Sequence, residues 1–205
     1  MTFEDLLARA VELAERPGRA MLGICGAPGA GKSTLAQRLV GAIGPSSVYI
    51  GMDGFHYAQV ELNRLGRTER KGAPDTFDAA GYVALLRRLR AVDTETVYAP
   101  LFRRDLEEPI GSAVPVAPEV RLIVTEGNYL LLNDPPWHQI RPLLDETWFL
   151  APDENLRRHW LTTRHITYGR TPTEAQARVF GSDEHNAVRI NATSDRATLV
   201  LPWPS

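Results

Sequence analysis

Residues 26–33 read Gly-Ala-Pro-Gly-Ala-Gly-Lys-Ser, a G-x-x-x-x-G-K-S pattern that limits the fold more than any other stretch of the chain. Its glycines let the backbone turn so that successive N–H groups point inward at phosphate oxygens. The pattern also demands surroundings. A strand must lead in, and a helix must open at its end to offer unpaired N–H groups and a positive dipole end. Both are legible: Ala20–Cys25 is a short apolar run, and Ser33–Val40 continues at helical spacing. The four fixed positions alone arise by chance in about one percent of chains this size. The pattern assigns Gly26, Ala27, Pro28, Gly29, Ala30, Gly31 and Thr34 to a phosphate cradle. Lys32 then carries a point charge to the β/γ-phosphates, and the Ser33 hydroxyl ligates Mg²⁺.

The rest of the chain reads as strands alternating with helices. Phe3, Leu6, Leu7, Ala10, Val11, Leu13 and Ala14 predict an amphipathic helix over 3–16, stopped by Pro17-Gly18. Strands are predicted at 20–25, 47–52, 96–102, 120–125, 146–150 and 198–201, and helices at 77–91, 153–168 and 173–180. Residues 109–118 hold three prolines and a glycine and read as a loop or loose hairpin. The alternation predicts an α/β fold, a parallel sheet sandwiched by helices, in one domain over 1–205.

Composition narrows the partners. The net charge is −2, so no global positive field invites nucleic acid. No apolar run reaches the ~18–20 residues that span a bilayer, and the acidic start Met1-Thr2-Phe3-Glu4-Asp5 is unlike a leader. One cysteine, Cys25, excludes a disulfide scaffold and a multi-cysteine zinc site. A cytoplasmic protein without membrane or nucleic-acid partners is expected. The only lysines are Lys32, after Gly31, and Lys71, after Arg70. Neither can form the Asn-Lys-x-Asp base-reading motif of GTP switches, so ATP is the expected triphosphate. The four tryptophans lie far apart in the chain, and no base-stacking platform is evident.

Three further stretches stand in order: Asp53-Gly54-Phe55-His56, then Arg70-Lys71-Gly72-Ala73-Pro74-Asp75-Thr76-Phe77-Asp78, then Glu126-Gly127-Asn128-Tyr129-Leu130-Leu131. With the loop at 26–33 they resemble the kinase family that includes pantothenate kinase, uridine kinase and phosphoribulokinase. The whole is most similar to short bacterial nucleoside/nucleotide kinase-like proteins, also called fructose-transport-system kinases. The resemblance runs in blocks from about Leu22 to Asn191. It implies a P-loop NTPase fold with a five-stranded parallel sheet and a helical lid over about 157–181. It also implies ATP, Mg²⁺, a small acceptor with a primary hydroxyl, and a homodimer, since relatives are often dimeric.

The same resemblance carries roles to individual residues. Asp53 matches the aspartate that orients and deprotonates the acceptor hydroxyl. Glu126, at the end of an apolar strand, holds Mg²⁺ through water or positions the acceptor, with Asn128 beside it. Arg164 and Arg170, flanking His165-Ile166-Thr167-Tyr168-Gly169, resemble the uridine-kinase lid arginines. Tyr98 and Arg104 fall on the acceptor-side strand, where Pro100 replaces the histidine of pantothenate kinases and counts against pantothenate itself. His56 and Lys71 are acceptor-side candidates, and Asn186 matches an asparagine near the nucleotide base. The implied function is phosphoryl transfer from ATP to a pantothenate-, nucleoside- or sugar-like hydroxyl. The alternatives are a nucleotide-binding regulatory protein without acceptor chemistry, and a nucleoside monophosphate kinase.

Overall fold

A computed structural model describes residues 1–91 and 94–203. In chain order its strands are β1 (Ala20–Gly26), β2 (Ser47–Gly51), β3 (Val97–Arg103), β4 (Glu108–Val116), β5 (Leu122–Gly127), β6 (Glu146–Leu150) and β7 (Leu199–Leu201). The helices are α1 (Phe3–Glu15), α2 (Lys32–Ile43), α3 (Gln59–Arg64), α4 (Ala79–Arg90), α5 (Glu154–Thr167), α6 (Pro172–Arg178) and α7 (Glu184–Asn191). Five strands form the expected parallel sheet, in the order β2-β5-β1-β6-β7.

The three central strands are buried throughout, as parallel strands covered on both faces must be. Side chains alternate across β1. Leu22 and Ile24 join a core with Leu6 and Leu13 of α1 and Leu35 and Leu39 of α2, whereas Met21 and Cys25 join Tyr82, Leu86 and Leu89 of α4. Burial pushes the Cys25 thiol up to about 11, in keeping with a small packed hydrophobe rather than a reactive group. Thr2 caps α1 reciprocally with Asp5, and Asp153 caps α5 by accepting from the N–H groups of Asn155 and Leu156.

Two elements depart from the local reading. The strand expected at 96–102 forms, but it pairs antiparallel with β4 in a separate ribbon, not in the main sheet. The proline-rich 109–118 segment is mostly that partner strand. A two-stranded ribbon has two free edges, so Pro109 and Pro115 need not interrupt a ladder. The helix expected over 173–180 ends at Arg178. A wider turn follows at 179–183, bent at Gly181 (φ −96°, ψ −106°), and α7 continues beyond it.

Parallel register lines up the strand ends. Gly51 of β2 pairs with Glu126 of β5, which pairs with Ile24 of β1 just before the glycine-rich loop. The candidate residues at 26–33, 53 and 126–128 therefore share the carboxyl edge of the sheet, where open α/β folds place ligands.

Candidate active site

The loop after β1 is shaped by left-handed backbone and a close neighbour. Gly29 has φ +84°, and a Cβ there would lie 2.8 Å from the Arg157 carbonyl oxygen. Arg157 is buried in α5 and donates to the Pro28 carbonyl at 2.9 Å, while its other nitrogens bind Glu154 and Glu184. One guanidinium thus ties the loop to α5 and α7. Lys32 opens α2 and is buried; its ammonium donates to the Asn128 side-chain oxygen at 2.8 Å and the Ala27 carbonyl at 3.1 Å. Burial pulls the Lys32 pKa down, and Glu126 and Asp53 oppose that pull. Next along the helix, Ser33 donates to Glu126 Oε1 at 3.1 Å, and the same oxygen accepts from Tyr49 of β2 at 2.7 Å.

Asp53 sits in the single helical turn Met52–Phe55 that follows β2. The ribbon β3–β4 crosses this turn so closely that a Cβ on Gly54 would meet the Pro100 carbonyl oxygen at 2.7 Å, which is why glycine follows the aspartate. The crossing brings Arg104 Nη2 to 2.9 Å from Asp53 Oδ2. His56 Nδ1 lies 2.9 Å from the Asp53 carbonyl oxygen, and its ring packs on Phe77 and Phe102 at 4.0 and 4.8 Å between centroids. Burial would raise the Asp53 pKa, but His56, Arg104, Lys32 and Arg164 together hold it below the usual value. Burial also lowers His56. His56 and the three long cations thus oppose the effect of burial and keep Asp53 ionised.

Two cavities meet at these residues. One, of about 490 Å³, is lined by Asp53, His56, Lys71, Arg104, Asn128 and Asn186, with Arg170 also on its wall. The other, of about 450 Å³, runs along the loop past Gly31, Lys32, Ser33 and Thr34 to Arg38, Trp160 and Trp203. Arg104 and Arg164 line both. Burial lowers the Arg164 pKa and neighbouring Arg104 adds to that, so two guanidiniums crowd the junction. Lys71 reaches the same cavity as Asp53 while donating to the Glu107 carbonyl at 2.6 Å. Two expected residues fall elsewhere. Tyr98 is 55% exposed and lines neither cavity, because strand alternation turns its neighbours Val97 and Ala99 inward and Tyr98 out. Asn186, on α7, lines the cavity that holds Asp53 and not the one along the loop.

Residues 21–202 match the family model described as "Phosphoribulokinase / Uridine kinase family". The chain belongs to that family. It is 35% identical to a provisionally named uridine kinase of Schizosaccharomyces pombe over 98% of this chain and 88% of that protein. A pantothenate kinase of Mycolicibacterium gilvum is 25% identical over 98% of this chain and 72% of its own length. The crystal structure of a provisionally named fructose transport system kinase from Silicibacter sp. TM1040 superposes with a TM-score of 0.87 at 36% identity, covering 98% of this chain and all of that one. Fold and family agree: both are those of P-loop kinases, and the glycine-rich loop at 26–33 stands where that family carries it.

For Mg²⁺, the oxygens available are the Ser33 hydroxyl and the Glu126 carboxylate, already within 3.1 Å of each other at the loop. Among the described residues no group of three or more His, Cys, Asp or Glu side chains converges as a metal cage. Two hard oxygens beside a phosphate cradle suit Mg²⁺, which keeps waters and takes phosphate oxygens for its remaining positions. Several contributors have no local signature: Tyr49, Arg157, Trp160 and Trp203. A tyrosine on an edge strand or an arginine among many on a helix looks solvated until the sheet and α7 are packed. Among the described residues no helix is long and apolar enough to cross a membrane.

Proposed function

We propose that this kinase moves the γ-phosphoryl group of ATP to a hydroxyl of a small polar molecule seated beside Asp53. The observation that carries the reading is the shared wall. The cavity holding the Asp53 carboxylate and the cavity holding Lys32 and Ser33 meet at Arg104 and Arg164. A hydroxyl in the first and a terminal phosphate in the second would face each other across that junction. Asp53, kept ionised by its cationic neighbours, accepts a hydrogen bond from the hydroxyl and takes its proton late, which suffices for a loose phosphoryl transfer. Lys32, steered by Asn128, and Arg164 offset the charge on the transferred group. Mg²⁺, which Ser33 and Glu126 would hold, would supply further charge neutralisation at the phosphate oxygens. Closure of α5 and α6 would bring Arg170 from the rim and exclude water.

The names of the relatives, uridine kinase and pantothenate kinase, favour a nucleoside- or pantothenate-like acceptor. Lys71, Arg170 and Arg178 also line the acceptor cavity, which supports a second reading in which the acceptor carries an anionic group, as a nucleoside monophosphate does. A screen of acceptors by ADP release separates these readings, and acceptor-independent ATP binding alone would favour a regulatory protein. Lys32→Ala and Asp53→Asn should each abolish turnover of the best acceptor, with Asp53→Asn still binding ATP. Wild-type turnover by Asp53→Asn would remove the base from the mechanism.

A further inference from the structure

Tyr49 and Gly51 stand two positions apart on β2, so they share one face of the sheet. Gly51 pairs with Glu126 of β5, and Tyr49 pairs with Val124. To reach Glu126, the phenol of Tyr49 has to run about 7 Å along the strand, two residues at about 3.3 Å each. It does so, and its hydroxyl donates to Glu126 Oε1 at 2.7 Å. The path is open because position 51 has no side chain. A Cβ on Gly51 would lie 2.7 Å from the Tyr49 hydroxyl oxygen and 3.4 Å from Glu126 Oε1. Gly51 has φ −83°, which any residue adopts, so the space for the phenol calls for glycine here and the backbone does not.

The carboxylate held in this way is buried, with only 4% of Glu126 exposed. Ser33 of α2 donates to the same oxygen at 3.1 Å. Both donors therefore sit on Oε1. The Ser33 hydroxyl keeps lone pairs for a metal while it donates its proton. The phenol has a different footing. It is rooted in the edge strand and packs against the core that contains Val124 and Leu39. A carboxylate with two donors on one oxygen cannot turn about its last bond without losing both. Resting on the reading of Ser33 and Glu126 as the Mg²⁺ pair, we propose that Tyr49 is a positioning residue for that metal. It fixes the rotation of the Glu126 carboxylate, so that Oε1 serves the protein and only Oε2 serves the ion. A one-oxygen contact suits Mg²⁺, which demands near-octahedral geometry, whereas Ca²⁺ takes carboxylates through one oxygen or two and tolerates irregular shells. Loss of the phenol therefore weakens Mg²⁺ more than Ca²⁺.

The test is calorimetry of ATP binding to the full chain with excess Mg²⁺, with excess Ca²⁺ and with excess EDTA. The affinity with each metal divided by that with EDTA gives the contribution of the metal. Tyr49→Phe removes one oxygen and keeps the ring in its packing. It should lower the Mg²⁺ ratio by about tenfold, the scale seen when the partner of a metal ligand is lost. The Ca²⁺ ratio should fall by less than about threefold, and the affinity in EDTA by less than about twofold. In a Glu126→Gln background, Tyr49→Phe should change the Mg²⁺ ratio by less than about twofold, because the residue that Tyr49 steers has already lost its charge. The inference is overturned if Tyr49→Phe alone lowers the Mg²⁺ ratio by less than about threefold. It is also overturned if the Ca²⁺ ratio or the EDTA affinity falls as far as the Mg²⁺ ratio, which would mark Tyr49 as packing alone, or if the two substitutions act independently. A different result strikes the reading beneath it: if Glu126→Gln keeps the full Mg²⁺ ratio, Glu126 is not at the metal and the role of Tyr49 falls with it.

Discussion

Replacing Arg104 by methionine should move the titration of Asp53 upward, and the structure sets how far. The two side chains meet at 2.9 Å with 33% and 27% of their surfaces exposed. For unit charges centred about 4 Å apart, the attraction runs from about 1 kcal/mol in water to about 4 kcal/mol at the dielectric of a protein surface. Partial exposure puts the pair between those limits, so loss of the guanidinium raises the Asp53 pKa by a measurable amount. His56, Lys32 and Arg164 remain to attract the carboxylate, so it does not climb as far as burial alone would drive it. Methionine keeps the stem of the side chain and removes only the charge. Because Asp53 is held below its ordinary value, its contribution to stability is complete above that value. It fades as pH falls through the lowered one; in Arg104→Met the gain is smaller and fades at a higher pH, because His56, Lys32 and Arg164 still attract the carboxylate. The assay is a carboxyl ¹³C NMR titration, with the Asp53 resonance assigned by difference against Asp53→Asn. The acid limb of kcat/KM for the best acceptor should shift with it. A shift under about half a unit by NMR would refute the claim that Arg104 governs this carboxylate.

Two other substitutions probe the frame around the site. Arg157→Met should cost about 1–3 kcal/mol in urea unfolding, because the buried Pro28 carbonyl is left without its donor, while Glu154 and Glu184 are partly exposed and keep Arg158 nearby. A loss below about 1 kcal/mol would mean that the loop holds its shape without the guanidinium. Glu126→Gln should raise the Mg²⁺ concentration for half-maximal turnover by about tenfold or more, one charged contact being worth about 1.5–3 kcal/mol. It should leave thermal stability close to wild type, since the amide oxygen still accepts from Ser33 or Tyr49; an unchanged Mg²⁺ requirement would exclude Glu126 from the metal site.

What the sequence by itself determined is local. The loop at 26–33, the strand before it and the helix after it follow from residue types within a span of about twenty positions, where chain geometry alone decides which groups face inward. The strand expected at 120–125, a nearly all-apolar run, forms at 122–127, and the strand expected at 146–150 forms within those bounds. Motif order then told which acidic residues end at the sheet's carboxyl edge. Only the tertiary structure decided which residues share a cavity. Arg104 meets Asp53 because a ribbon assembled from 97–116, half of it reading as a proline loop, folds across Gly54. Tyr98 faces away because of that strand's phase, and Asn186 of α7 comes to line the cavity of Asp53. Trp160 and Trp203 become one wall only after β7 adds to the sheet edge beside β6 and α5 packs over the loop. Such juxtapositions depend on strand order and helix packing between segments distant in the chain, and no pattern of neighbouring residues encodes those distances.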